Sequence, residues 1–350
     1  MTRTRIAIAG AGYIGQAHID VLLQSSTCEL SAVVDPSPQA QALAAKAGVP
    51  LYKSLEELLD KDRPDGVVLA TPNQFHVPHA LLCMAAGLPM LLEKPVASTV
   101  AEGRALARQA EEHNARILIG HHRAHSPIMA KACEVVHSGA LGRLVSVMGS
   151  AVFFKPDQYF SDAPWRSQPG AGPILLNMIH EVHNLRMLAG EVVAVQAFAS
   201  NAVRNFQVED TVAINLRFAS GALGSFMLSD SAASPRSWEQ TSQENKAYAS
   251  YDDEDCYVIA GTNGSLSVPT MRLKTYPSAQ DRSWWKPFEV GVVGMIRQDP
   301  LVHQMEHFGA MVRGEVEPLV SVQDGLANLR VTEAIAEAAK SGRVIEIEAQ

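Results

Sequence analysis

Cysteine is scarce in this chain of 350 residues: Cys28, Cys83, Cys133 and Cys256 are scattered, with no C-x-x-C pair and no Cys/His spacing suited to zinc. Their scarcity excludes a disulfide-stapled secreted scaffold and predicts unbridged thiols, a reducing cytoplasm and no metal site. Long apolar runs are also missing. No stretch approaches the ~20 residues of a membrane span, and the start, Met1-Thr-Arg-Thr-Arg, lacks the apolar core of a signal peptide. There is no block of like charge, and the formal net charge is −8, so neither nucleic acid nor a membrane is expected as a partner. What remains is a small molecule.

The composition is that of an ordinary core-forming protein, 47% apolar and 19% charged. The length exceeds the ~250–300 residues at which one core stops growing, which predicts two domains. Arg5–Gly10, Leu30–Asp35, Gly66–Ala70, Pro89–Glu93 and Arg116–Gly120 read as buried strands. They alternate with helical segments, Ile14–Gln24, Pro38–Ala47, Leu55–Leu59, His76–Ala86 and Thr99–Asn114. Such alternation predicts an α/β Rossmann domain, a doubly wound parallel sheet, over residues 1–121. Beyond Pro127 the pattern changes to a helix, a strand near Leu144–Phe153, an irregular segment from Lys155 to Pro173 and a helix over Ile174–Leu188. Strand-like runs follow at Val193–Asn201, Asp210–Phe218, Ala222–Asp230, Asp255–Ala260, Ser265–Pro269 and Arg272–Thr275, with a polar loop over Ser231–Asp253. Helices at Pro300–Arg313 and Val322–Lys340 and a strand at Val344–Glu348 complete the chain. Residues 122–350 are thus expected to form an α+β domain with a large open, mainly antiparallel sheet and helices on one face. Alternating apolar residues in Val212–Leu216 and Leu223–Met227 would leave that sheet in need of cover, which predicts a homodimer or homotetramer.

The segment Gly10-Ala-Gly12-Tyr13-Ile14-Gly15 fits G-x-G-x-x-G between a strand and a helix. Gly10 permits the tight turn, Gly12 close approach of a pyrophosphate, and Gly15 close helix packing, while the helix start offers unpaired N–H groups. Asp35 ends the second strand, where a carboxylate accepts hydrogen bonds from ribose hydroxyls. It is followed by Pro-Ser-Pro with no cation to neutralise a 2′-phosphate, which predicts NAD in preference to NADP. Glu93-Lys94-Pro95 falls at the same sheet edge. Lys94 is either an acid/base whose pKa is lowered beside a cationic nicotinamide, or a surface partner of Glu93.

On these motifs the chain resembles the glucose–fructose oxidoreductase / inositol dehydrogenase / MocA family, nearly end to end. The resemblance is carried by the glycine turn, Ala70-Thr71-Pro72-Asn73 with His76, Glu93-Lys94-Pro95, the Gly120–Pro127 stretch, Trp165-Arg166, and Gly170-Ala-Gly172 before a His-bearing helix. It implies that Lys94 contacts the reacting hydroxyl and that Thr71, Pro72, Asn73 and His76 line the cofactor together with Glu93, Arg123, Trp165 and Arg166. It also implies that the Lys94–Pro95 bond is cis.

Asn177, His180 and Asn184 fall at i, i+3 and i+7 of an otherwise apolar helix, a polar stripe that faces either a cavity or a satisfied core. His180 aligns with the family's active-site histidine, which shares proton handling with the lysine. His183, displaced round the helix, reads as structural. The family commonly carries Asp four residues before its histidine; this chain has Leu176 there and Asn177 next to it, which puts a charged relay in doubt and leaves more of the proton transfer to Lys94. His121, His122, Arg123, Arg166 and Arg236 fall near the expected pocket, where each binds a substrate carboxylate, a cofactor phosphate or an acid of the other domain. Tyr159, Trp165, Trp238, Trp284 and Trp285 offer a flat apolar wall for a ring or simple packing. The substrate site is expected to comprise Lys94, His122, Tyr159, Arg166, Asn177 and His180. Oxidation of a cyclic polyol or sugar is the expected activity, with a carboxylated cis-dihydrodiol as the alternative substrate. A redox-neutral NAD-dependent glycosidase or lyase and a non-catalytic NAD sensor are the alternatives from other classes.

Overall fold

A computed structural model describes residues 3–348; Met1, Thr2, Ala349 and Gln350, at the ends of the two expected domains, lie outside the described residues. The chain divides into two compact units. One runs to His125 and includes Pro300–Leu329; the other comprises Ser126–Asp299 and the chain from Arg330.

The first unit is built on six parallel strands: β1 Thr4–Ala9, β2 Cys28–Val34, β3 Leu51–Tyr52, β4 Gly66–Leu69, β5 Met90–Leu92 and β6 Ile117–Ile119. Their order, β3-β2-β1-β4-β5-β6, is that of a doubly wound sheet with its switch point between β1 and β4. Residues 6–9 and 66–69 are buried on both faces, as strands covered by helices must be. The two-residue β3 is too short to carry a sequence period and lies outside the expected strands.

Residues 300–329 join this unit rather than the C-terminal domain, and glycines explain how. A Cβ on Gly66 would come within 2.8 Å of the Val312 side chain, one on Gly103 within 2.9 Å of Leu326, and one on Gly325 within 3.1 Å of both Ile119 and Val96. Side chains there would hold off the helix Pro300–Val312 and the first turns of the helix Val322–Ser341.

The second unit carries nine strands: β7 Leu144–Val152, β8 Val192–Ser200, β9 Thr211–Phe218, β10 Leu223–Ser229, β11 Tyr257–Gly261, β12 Gly264–Val268, β13 Arg272–Thr275, β14 Glu289–Val292 and β15 Ile345–Glu346. Their order is β14-β13-β12-β11-β7-β10-β9-β8-β15; the sheet is antiparallel except where β10 pairs in parallel with β7. That parallel pair brings the C-terminal ends of β7 and β10 side by side. Val212, Ile214 and Leu216 point inward to a core with Val182, Leu185 and Leu188 of the helix Ile179–Ala189. The alternation in β9 is therefore covered within the unit, contrary to the expectation that it needs a partner. Exposed apolar residues on the strands β7, β8 and β10 are Val145, Met148, Phe198, Leu223 and Met227. The expected loop at 231–253 contains a short helix, Trp238–Thr241, pinned by buried Trp238, whose Nε1 donates to Glu244 at 2.9 Å. No helix among the described residues is long and apolar enough to cross a membrane.

Candidate functional site

In the first unit the candidate residues gather where β1, β4, β5 and β6 end. Gly10 has φ +96, and a Cβ there would strike the Ala70 carbonyl; one on Gly15 would strike the Gly10 carbonyl. Both glycines are thus demanded by backbone packing. Gly12 is different. Nothing lies within 4 Å of a Cβ built there, and no side chain caps the helix Tyr13–Gln24 that follows. Protein contacts do not require glycine at 12, and the helix start there is open to the close approach of an anion. Tyr13 is exposed and Ile14 half-buried beside that opening.

Asp35 sits next to it. One carboxylate oxygen accepts from the Ala11 N–H and the other from the Ser37 N–H, each at 2.8 Å. Burial pushes its pKa up, but the bonds from Ser37 and Ala11 outweigh that, and the group is held below the ordinary carboxylate value. Each oxygen retains lone-pair capacity for a further donor. Thus the residues fit an adenine dinucleotide: an anion-seeking helix start, an open glycine and a half-exposed carboxylate.

Glu93 and Lys94 follow β5. Glu93 is 5% exposed, with Oε1 2.8 Å from His18 Nε2 and Oε2 accepting the Lys94 N–H at 3.2 Å. Burial pushes this carboxyl up, yet the His18 hydrogen bond and the charges of His18 and Lys94 keep it below its usual value. Gly120, at the end of β6, makes room: a Cβ there would lie 2.8 Å from the Glu93 carboxyl carbon. Glu93 is therefore an internal strut under half-buried Lys94, and His18 is a residue the sequence reading missed. Its only signal is a position one turn after Gly15 on the buried helix face. The Lys94–Pro95 peptide is cis, as the resemblance implies.

His76 departs from the expected role. It is 1% exposed, and its ring nitrogens lie 2.7 Å from the Pro95 carbonyl and 2.9 Å from the Thr71 carbonyl. Burial lowers its pKa, and a neutral ring donates to only one of these carbonyls, so His76 sits enclosed between the Thr71 turn and the Lys94–Pro95 turn, bonded to one of them. Thr71 is half-buried, with its hydroxyl 3.2 Å from His79 Nδ1, while Pro72 and Asn73 are exposed at the same edge. Arg123 is buried, and His122 is half-buried beside it. Burial and the charge of Arg123 push His122 down to about 3, so the ring is neutral at physiological pH.

The second unit gathers its candidates at the adjacent ends of β7 and β10. The His-bearing helix opens with a π turn, Ile174–Met178, before continuing as α-helix. Gly172, with φ +87, leads into it, and Glu209 accepts the Ile174 N–H at 2.9 Å. Asn177 lies in the π turn, and His180 and Asn184 lie in the regular α-helix after it. Asn177 and His180 are half-buried, whereas Asn184 is fully buried and donates to the Tyr257 hydroxyl at 3.0 Å, which in turn donates to Glu181. His183 is buried as well.

Asn177 Oδ1 lies 2.7 Å from Nζ of Lys155, which opens the segment that has no period or motif in the sequence. The Lys155 ammonium is also 3.5 Å from Asp230 and 4.9 Å from the centre of the Tyr159 ring, and Arg204 approaches Asp230 at 3.0 Å. Burial lowers the Lys155 pKa, against the pull of Asp230. Arg166 stacks on Tyr159 at 3.8 Å and donates to its carbonyl at 2.7 Å. Three aromatic candidates and one cation stand apart from this cluster. Trp238 packs in the core, Trp284 and Trp285 are 86% and 84% exposed against each other, and Arg236 pairs with Glu254 at 2.9 Å, whereas Trp165 is exposed beside Arg166, whose guanidinium lies 5.7 Å from its ring.

Among the described residues no three His, Cys, Asp or Glu side chains group to hold a metal, and none of the cysteines is in a disulfide. The geometry therefore presents a dinucleotide cradle with a half-buried lysine on one unit, and on the other a lysine–asparagine pair with His180 on the helix that follows Asn177.

Comparison with known proteins bears on the same two regions. Residues 4–121 match a family described as an oxidoreductase family with an NAD-binding Rossmann fold, and residues 129–267 match the GFO/IDH/MocA C-terminal domain. The rhizopine catabolism protein MocA of Rhizobium meliloti is 32% identical over 191 residues, 55% of this chain and 59% of that protein. Inositol 2-dehydrogenase of Leifsonia xyli subsp. xyli is 35% identical over 148 residues, 41% of this chain and 44% of that enzyme. The matched stretches thus span about half the length of these relatives. In fold, the chain resembles the WlbA dehydrogenase from Bordetella pertussis, solved with NADH and UDP-GlcNAcA, with a TM-score of 0.79 and 24% identity over 100% of both chains.

Proposed function

Since this chain belongs to the Gfo/Idh/MocA family of NAD-binding oxidoreductases, we propose that it is an NAD-dependent dehydrogenase oxidising a secondary hydroxyl of a cyclic polyol or sugar. The observation that carries this is the sheet edge of the first unit, where an uncapped helix start, open Gly12 and Asp35 share one edge with half-buried Lys94. Bound there, NAD supplies the hydride acceptor. Gly10, Gly12, Tyr13, Ile14 and Gly15 would hold its phosphates and Asp35 its ribose, with Thr71, Pro72, Asn73 and Arg123 around it and Glu93 behind Lys94. His76 contributes by packing between the Thr71 and Pro95 turns and donating to one of their carbonyls. Trp165 and Arg166 of the second unit remain candidates for cofactor contact.

Lys94 takes the proton of the substrate hydroxyl, and His180 assists it. Glu93, turned inward to His18, steadies Lys94 from below without competing for the substrate. His122, kept neutral by burial, offers a hydrogen bond and no charge. Tyr159, Arg166 and Asn177 complete the substrate contacts. Asp35 favours NAD over NADP, since its carboxylate repels a 2′-phosphate and the following Pro36-Ser37-Pro38 supplies no cation.

One observation favours the second reading, a carboxylated diol: Arg166 has no acidic partner among the described residues. A guanidinium so placed suits a carboxylate. We further propose a cytoplasmic homodimer or homotetramer joined through the outward residues Leu223, Met227, Met148 and Phe198. NADH fluorescence against sugars, inositols and cyclic diol acids tests the activity. Turnover of a polyol supports it, and turnover of the diol acid alone supports the second reading. NAD retained without net NADH points to redox-neutral chemistry, and tight NADH binding with no turnover to a sensor.

A further inference from the structure

Asn177 is the polar side chain nearest to the position where the family commonly has an acid, and an amide has two ends of opposite character. One is an acceptor oxygen, the other a nitrogen with two donors, and only the hydrogen-bond partners decide which way it faces. Here the partner is an ammonium. Lys155 has donors only, so the atom 2.7 Å from its Nζ must be the oxygen, and the amide nitrogen must face away from Lys155. The lysine is itself held. Its side chain is 11% exposed, with Asp230 3.5 Å from Nζ and the rings of Tyr159 and Phe153 at 4.9 and 5.6 Å. Arg204 donates to the Lys155 carbonyl at 2.7 Å and pairs with Asp230 at 3.0 Å, fixing the backbone at the same point.

We propose that Lys155 is a positioning residue that locks Asn177 as a hydrogen-bond donor, so that this helix face receives an acceptor oxygen of the substrate and carries no proton. The proposal rests on the dehydrogenase reading for the word substrate, but the lock itself does not. A carboxylate at 177 would form an ion pair with Lys155 and present no donor. On this view an Asp is the wrong residue here, the reverse of what a charged relay requires.

Two arms test this on the full chain. In protein labelled with ¹⁵N at asparagine, the side-chain amide pair of Asn177 is identified by its loss in N177D. It should shift in K155M and stay in place in the surface control K131M. This arm needs no substrate, so it reads the lock even if the wild-type protein oxidises nothing. The second arm uses any alcohol that the wild type oxidises. N177D should raise KM by about tenfold or more, the loss of one good hydrogen bond, with a smaller fall in kcat. K155M should move KM in the same direction and K155R should recover part of it, with NADH binding unchanged in all three. An Asn177 amide pair that does not move in K155M overturns the proposal. So does N177D turning over as fast as the wild type or faster.

Discussion

Asp35 carries two loads that one substitution separates. In D35A the Ala11 and Ser37 N–H groups, each 2.8 Å from a carboxylate oxygen, lose their acceptor. A hydrogen bond to a charged group contributes ~1.5–3 kcal/mol, but this carboxylate is half-exposed and water replaces part of it, so about 2 kcal/mol for the pair is the reasonable sum. At ~2–4 °C per kcal/mol for a unit of this size, melting should fall by about 4–8 °C. Losing the charge-assisted bonds to the ribose should weaken NADH by ~10–100-fold. NADPH should behave differently, because removing the carboxylate also removes the repulsion of its 2′-phosphate, and its Kd should change by less than about threefold. Titration of intrinsic fluorescence with both cofactors, beside a calorimetric melt, reads all three quantities. D35N, which keeps one acceptor oxygen, should show about half the melting loss. Equal weakening of NADH and NADPH in D35A would refute the assignment of Asp35 as the group that selects between them.

Further outcomes follow from the remaining geometry. Lys94→Ala should lower kcat by ~10²–10⁴ while the NADH Kd stays within a few-fold, by stopped-flow and fluorescence titration; unchanged turnover would remove Lys94 from the chemistry. His122, with a folded pKa near 3, takes up its proton far more readily when unfolded. Stability should therefore fall as the pH drops from about 6.5 towards 3, and His122→Gln should flatten that part of a pH–melting curve. Light scattering should show an oligomer for the wild type and a smaller species for L223E/M227E, two residues that are 59% and 43% exposed on the outward sheet face. A wild-type monomer would overturn the assembly proposal.

The parallel sheet, the glycine turn and the placing of Asp35 and Lys94 at one edge were legible in the residues alone. Fully buried strands such as Gly66–Leu69 are apolar throughout, helices between them have their own period, and left-handed turns select glycine. These are local rules, and they hold before any packing. Other features depended on pairings between residues far apart in sequence. His76 reads as a cofactor-lining residue until the Thr71 and Pro95 carbonyls are found on its two nitrogens. The 300–329 segment reads as part of the second domain until Gly66, Gly103 and Gly325 admit it to the first. The stripe Asn177, His180, Asn184 reads as one polar face until Asn184 is found fully buried, donating to the Tyr257 hydroxyl. Lys155 carries no period and no motif; it becomes informative only because β7 and β10 run in parallel and set it between Asn177 and Asp230. Which way an amide points, and which charge lies under a lysine, are properties of neighbours that the chain supplies from 22 to 75 residues away. Sequence spacing encodes periods and turns, whereas the partner of a buried polar atom exists only once the sheet has brought it there.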